Sequence, residues 1–157
     1  MHEEFEFEKQ DLKIKQTMSI LRARVVLVGD AAVGKTCIAH QLVSGNFNKN
    51  YAMTQACEYT VKEMKIEGTN TMVELHLLDI GGQRIFEEIT GELLAHANMC
   101  VVVYDSTNPE TVGNVKSWYE RVCHANDKQV PGIVIGNKAD LDNRISVSPE
   151  DGREIAA

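Results

Sequence analysis

The sequence predicts an α/β fold, a doubly wound and mostly parallel sheet. Three observations predict it. Gly29-Asp30-Ala31-Ala32-Val33-Gly34-Lys35-Thr36 fits G-x-x-x-x-G-K-[ST], the P-loop pattern. The apolar run Val25–Val28 precedes that loop and the helix-compatible stretch Thr36–Val43 follows it. Two further apolar runs end in polar turns, Leu75–Leu78 before Asp79 and Ile133–Gly136 before Asn137. Strand runs that alternate with helical stretches give parallel sheets.

The elements follow in order. The first strand is expected at about Ala23–Val28, and the first helix from Gly34 to about Ser44. Two strands, about Cys57–Ile66 and Met72–Leu78, flank the hairpin-length turn Glu67-Gly68-Thr69-Asn70-Thr71. A helix is expected over Ile85–Ala97, with Gly91 as its weak point, and a strand over Met99–Tyr104. Pro109 opens a helix to about Ala125, at a first-turn position where its missing N–H costs nothing. Another strand covers Ile133–Gly136, and Ser148-Pro149-Glu150-Asp151 reads as a capped helix start. Residues 1–17 run from acidic (Glu3 to Glu8) to basic (Lys13, Lys15) with little apolar content. They read as a flexible, solvated extension, and residues 18–157 as the folded domain.

The loops carry the chemistry. Backbone N–H groups of Gly29 to Thr36 would wrap phosphates, and the helix N-terminus favours negative charge. Lys35 would reach the β- and γ-phosphates, and the Thr36 hydroxyl would ligate Mg²⁺. Cys37, next in the chain, joins this nucleotide-binding set. Asp79 ends a strand and opens a D-x-x-G turn, where a carboxylate can hold Mg²⁺ through water. The Gly82 N–H could bond a γ-phosphate, and Gln83 could orient an attacking water. Asn137-Lys138-Ala139-Asp140 is an N-K-x-D loop. The Asp140 carboxylate would accept from N1–H and the exocyclic amine of guanine, a donor pair adenine lacks. Asn137 would tie this loop to the P-loop, and the Lys138 stem would cover one face of the base. A kinase or ATPase reading fails on this motif.

With these three motifs in this order, the chain from about Arg22 onward resembles the Ras-like small GTPases, and within them the Rab-like branch. Phe47 to Thr54 is similar to a Rab-type switch I, which implies that Thr54 ligates Mg²⁺ and touches the γ-phosphate. Trp118 and Val102–Asn108 are Rab-like in form. Asp30–Thr36, Tyr51–Thr54 and Val73–Asp79 are similar to the Rab-like GTPase subunits of intraflagellar transport. That resemblance implies a GTP/GDP switch in the cilium or flagellum, serving transport complex B with a small β-sandwich partner subunit. An ordinary vesicle-trafficking Rab and a nucleotide-stabilised assembly subunit with negligible hydrolysis are the other readings. Departures exist: Ala32 and Ala56 stand where Rab proteins usually carry glycine. A methyl at Ala32 penalises a left-handed backbone. Gln83, by contrast, favours retained hydrolysis, with Lys35 stabilising charge, and the turnover is expected to be slow because no arginine finger is identifiable in cis.

Composition narrows the classes. The chain has 157 residues, 43% of them hydrophobic, which suits one domain with one core. A net charge of −7 argues against a nucleic-acid binder. Cys37, Cys57, Cys100 and Cys123 form no C-x-x-C and read as buried reduced thiols of a cytoplasmic protein. His40, His76, His96 and His124 are scattered and read as surface or interface residues. No membrane anchor is visible: the start is Met1-His2, and Ile155-Ala156-Ala157 offers no prenylatable cysteine. The resemblance implies a further strand and a final helix after the capped start at Ser148. The expectation is therefore a C-terminally incomplete domain, or one that a partner completes.

Overall fold

The structure, a computed structural model, describes residues 18–45, 57–81 and 87–157. Its centre is β1 (Ser19–Val28), whose last four residues are all buried. β1 pairs in parallel with β3 (Thr71–Ile80) on one side and β4 (Met99–Asp105) on the other. β2 (Cys57–Lys65) lies antiparallel to β3, and β5 (Gly132–Asn137) lies parallel to β4. The sheet order is β2-β3-β1-β4-β5, so the sheet is mixed, with one antiparallel edge strand. Near-continuous apolar runs in β1 and β4 fit strands covered on both faces.

Alternation along the strands divides the core in two. Val26, Val28, Leu78, Ile80, Cys100, Val102 and Tyr104 point to one face. There they meet Leu94 at the end of α2 (Glu87–Leu94), Val112 of α3 (Pro109–Gly113), and Val115, Trp118 and Val122 of α4 (Val115–Ala125). Val25, Leu27, Leu77, Val101 and Val103 point the other way, against Ala39 of α1 (Lys35–Ser44). A last helix, α5 (Pro149–Ala156), starts with a capping box between Ser148 and Asp151. No described helix is long and apolar enough to cross a membrane.

Several boundaries depart from the sequence reading, each for a local reason. β1 starts at Ser19 rather than Ala23, because Ser19 to Arg22 keep their register with Thr71 to Glu74 although their side chains are exposed. β3 runs on to Ile80, which puts Asp79 inside the strand, opposite Leu27 and Glu58. α2 passes through Gly91 but stops at Leu94, and His96 beyond it takes a left-handed φ of 59°. The expected helix from Pro109 to Ala125 is two helices that break at Asn114. The cysteines also differ: Cys100 is buried, whereas Cys37, Cys57 and Cys123 are half-buried free thiols.

Leu94 is 1% exposed and joins α2 to the larger core. Leu94→Ala should cost about 2–5 kcal/mol of stability, as lost burial plus a residual cavity. Urea unfolding of the two chains checks this.

Candidate functional site

Strands β1, β3, β4 and β5 run parallel, so their C-terminal ends lie on one side of the sheet. Open α/β sheets bind ligands at that side. The three motif loops all emerge there.

The first is the turn from β1 into α1. Its backbone takes left-handed φ values of 136° at Gly29, 62° at Ala32 and 102° at Gly34. A Cβ on Gly29 would land on the Val103 carbonyl oxygen, and one on Gly34 on the Asn137 amide. Only glycine fits either place. Lys35, the first residue of α1, is buried. Its Nζ donates to the Gly29 carbonyl (2.9 Å) and the Asp30 carbonyl (2.8 Å). Burial pulls its pKa down to about 8, against the opposing charges of Asp79 and Asp30. The first turn of α1 holds no acidic residue, which leaves its N-terminal dipole uncancelled.

The second loop enters through Asp79. Asp79 is 1% exposed, and its Oδ2 accepts from the Thr36 hydroxyl, so the end of β3 and the start of α1 meet. A hydroxyl beside a carboxylate is an all-oxygen donor set of the kind a hard cation takes. Among the described residues no group of three or more His, Cys, Asp or Glu gathers. The Thr36 hydroxyl and the Asp79 carboxylate suit Mg²⁺, which keeps several waters and takes few protein ligands.

The third loop leaves β5. Asn137 Nδ2 donates to the Val33 carbonyl at 2.8 Å, linking it to the first loop. Lys138 has φ 63° and donates to Asp105 Oδ2 at 2.6 Å. Asp105 Oδ1 accepts from the Thr107 N–H (2.9 Å) and hydroxyl (2.7 Å). Desolvation pushes the Asp105 carboxyl up, but the Lys138 ammonium and the Thr107 bonds outweigh it and hold the group below its ordinary pKa. Asp140 is exposed. A cleft of about 410 Å³ is lined by Ala32, Gly34, Cys37, Asn137, Lys138, Asp140 and Leu141. That size suits a small ligand.

The structure thus brings Gly29 to Cys37, Asp79, Asn137, Lys138 and Asp140 to one end of the sheet. Thr54, Gly82 and Gln83 lie outside the described residues. Three neighbours were not assigned to the site from the sequence. Asp105 ends the apolar run of β4, as Asp79 ends the run before it, and that was the available signal. Asn114 and Trp118 carried none that spacing shows. Trp118 Nε1 donates to Asp30 Oδ1 at 2.8 Å, and Asn114 Nδ2 to Asp30 Oδ2 at 2.7 Å.

The family model described as Ras family matches residues 24–157. The chain belongs to the Ras family. Members of that family bind guanine nucleotide, usually with Mg²⁺, and are generally GTP hydrolases. Among curated relatives, this Ras-family chain is 36% identical over 138 residues to the "Intraflagellar transport protein 27 homolog" of Trypanosoma brucei brucei. That match covers 87% of the chain and 74% of the relative. It is 35% identical to the protein of the same name from Homo sapiens, over 87% of the chain and 75% of the relative. It is 34% identical to "Ras-related protein SEC4" of Saccharomyces cerevisiae, over 85% of the chain and 60% of that protein.

Lys35 makes a pH prediction. Its folded pKa of about 8 lies below the ordinary lysine value of 10.5, so its burial costs stability while the ammonium stays charged. That cost is full below about pH 8 and fades as pH rises toward 10.5. From pH 7.5 to 10 the chain should therefore gain stability relative to Lys35→Met, by up to about 3 kcal/mol. Parallel urea titrations in this window check the sign.

Proposed function

We propose that this chain is a GTP-binding switch that hydrolyses GTP slowly and works as a subunit of intraflagellar transport. The observation that carries the nucleotide reading is the convergence of three loops. Gly29–Thr36, Asp79 and Asn137–Asp140 meet at the C-terminal ends of the parallel strands β1, β3 and β5, joined by the Thr36–Asp79 and Asn137–Val33 bonds. Gly29, Asp30, Ala31, Ala32, Val33 and Gly34 would cradle the phosphates, Lys35 would bond their outer oxygens, and Cys37 would flank the base cleft. Thr36 and Asp79, with Thr54 from the segment before β2, would hold Mg²⁺. When bound, that ion neutralises charge building on the phosphate oxygens. Asn137 and Lys138 shape the base cleft, and Asp140 selects guanine. Gly82 would bond the γ-phosphate, and Gln83 would align the attacking water. With Thr54 and Gly82 holding their loops to the γ-phosphate, hydrolysis would release both.

The transport role rests on the relatives named for intraflagellar transport, at 35–36% identity. It carries with it a cytoplasmic protein of the cilium or flagellum and a small β-sandwich partner subunit. One feature favours a second reading, an assembly subunit that binds nucleotide without useful turnover. Ala32 holds a left-handed φ of 62°, a strain that glycine would not carry. It can displace the phosphates from the Gln83 geometry.

Two measurements test these readings. Asp140→Asn should weaken GTP binding by about tenfold or more, since hydrogen bonds to a charged group are worth about 1.5–3 kcal/mol. It should strengthen xanthosine triphosphate binding, because the new amide donates where xanthine has a carbonyl. Unchanged GTP affinity in a titration would sink the base assignment. Gln83→Leu should lower single-turnover hydrolysis by about tenfold, or ~1.4 kcal/mol of barrier, with GTP affinity nearly unchanged. Equal rates in both chains would favour the assembly subunit over the switch.

A further inference from the structure

The phosphate loop is tied from both sides. On one side Asn137 Nδ2 holds the Val33 carbonyl at 2.8 Å. On the other, both oxygens of the Asp30 carboxylate are taken by α4. Trp118 Nε1 holds one at 2.8 Å and Asn114 Nδ2 the other at 2.7 Å, from 88 and 84 residues away. Ala32, with its φ of 62°, lies between the two ties. A non-glycine residue stays in such a conformation only where its surroundings over-determine it.

Asn114 sits at the N-cap of α4, where asparagine ordinarily accepts from the helix's own first-turn N–H groups. Here its side chain makes no capping bond. The amide reaches Asp30 instead, and the helix forgoes its side-chain cap. Trp118 lies four residues on, so its side chain shares that helix face. It is 7% exposed, and a buried indole needs a partner for its N–H. Asp30 supplies it. The grip also turns the Asp30 carboxylate toward α4, while its backbone carbonyl accepts from Lys35 Nζ. One residue thus links α4 to the lysine at the foot of the loop.

We infer that Asp30 is a positioning residue, and that its clamp by Asn114 and Trp118 holds the phosphate loop in shape and sets how slowly nucleotide leaves. This rests on the reading of the loop as a GDP and GTP site. α4 then acts as a brace for the site as well as a wall of the core. Breaking the clamp lets the strained stretch around Ala32 relax, and the loop's grip on the phosphates weakens.

The test uses the whole chain loaded with a fluorescent GDP analogue and follows its release into excess GDP. Asp30→Ala removes both acceptors. Asn114→Asp places two carboxylates together. Each should speed release about tenfold. The double variant Asp30→Asn/Asn114→Asp restores both bonds with the roles exchanged, since the new amide donates to position 114 and accepts from the indole. It should return release to within about threefold of the parent chain. Trp118→Phe keeps a ring in the core and removes one bond, and should speed release severalfold even where a charge variant fails to fold. Leu94→Ala loosens the same core without touching the clamp and should leave release near that of the parent. Single variants that release at the parent rate, a double variant no slower than the singles, or Leu94→Ala releasing as fast as they do would each overturn the clamp. A parent chain that never retains the analogue would instead overturn the nucleotide reading of the loop.

Discussion

The turn from β1 into α1 sets the terms for the rest of the site. Its backbone passes so close to β4 that a side chain at Gly29 would collide with the Val103 carbonyl. At Gly34 a Cβ would displace the Asn137 amide. These two contacts fix the spacing between the loop, β4 and β5. Lys35 can then lie buried under the loop with its ammonium on the Gly29 and Asp30 carbonyls. Thr36 follows at once and reaches Asp79 on the opposite neighbour of β1. A shift in the turn would undo each of these contacts, because all depend on one short backbone path.

The parts legible in the sequence were those whose signal is local. Gly29 to Thr36 and Asn137 to Asp140 are each continuous, and each follows an apolar run, so motif and strand end could be read together. The doubly wound order followed from strands alternating with helices. Other features had no local signature. Ser19 to Arg22 join β1 through backbone pairing while their side chains face solvent. Nothing in their residue types announces a strand. The helix breaks at Asn114, the residue whose amide serves Asp30 rather than its own helix. The partner that Asn114 serves lies 84 residues earlier. Such a contact is decided by which helix lies beside which loop, and spacing along the chain does not encode that.

Ala32 shows how a departure from pattern can be read in both places. The sequence carries a methyl group where a left-handed residue is expected, and the backbone does take φ 62° there. The conformation is therefore kept despite its cost of about 1–2 kcal/mol. Neighbouring contacts meet that cost. Asp30 on one side and Val33 on the other are each held by a side chain from a different element. Ala32 itself is exposed, so its methyl group meets the cleft rather than the core. The loop keeps its shape through its neighbours, where a glycine would have kept it through freedom.

Net charge poses a further constraint. The chain carries 16 Lys and Arg against 23 Asp and Glu, a balance that repels a polyanion such as a nucleotide. At physiological ionic strength, however, screening confines charge effects to about 8 Å. Binding then depends on what lies within that radius of the loop. There the structure offers the α1 N-terminus without acidic residues, the buried Lys35, and the Thr36–Asp79 pair suited to a cation. Asp30 is the one carboxylate built into the loop, and the donors of Asn114 and Trp118 occupy both its oxygens. The same clamp that steadies the backbone therefore also keeps a negative charge turned toward α4. An acidic chain can serve an anionic ligand because the favourable charges are local and the unfavourable one nearby is held in place.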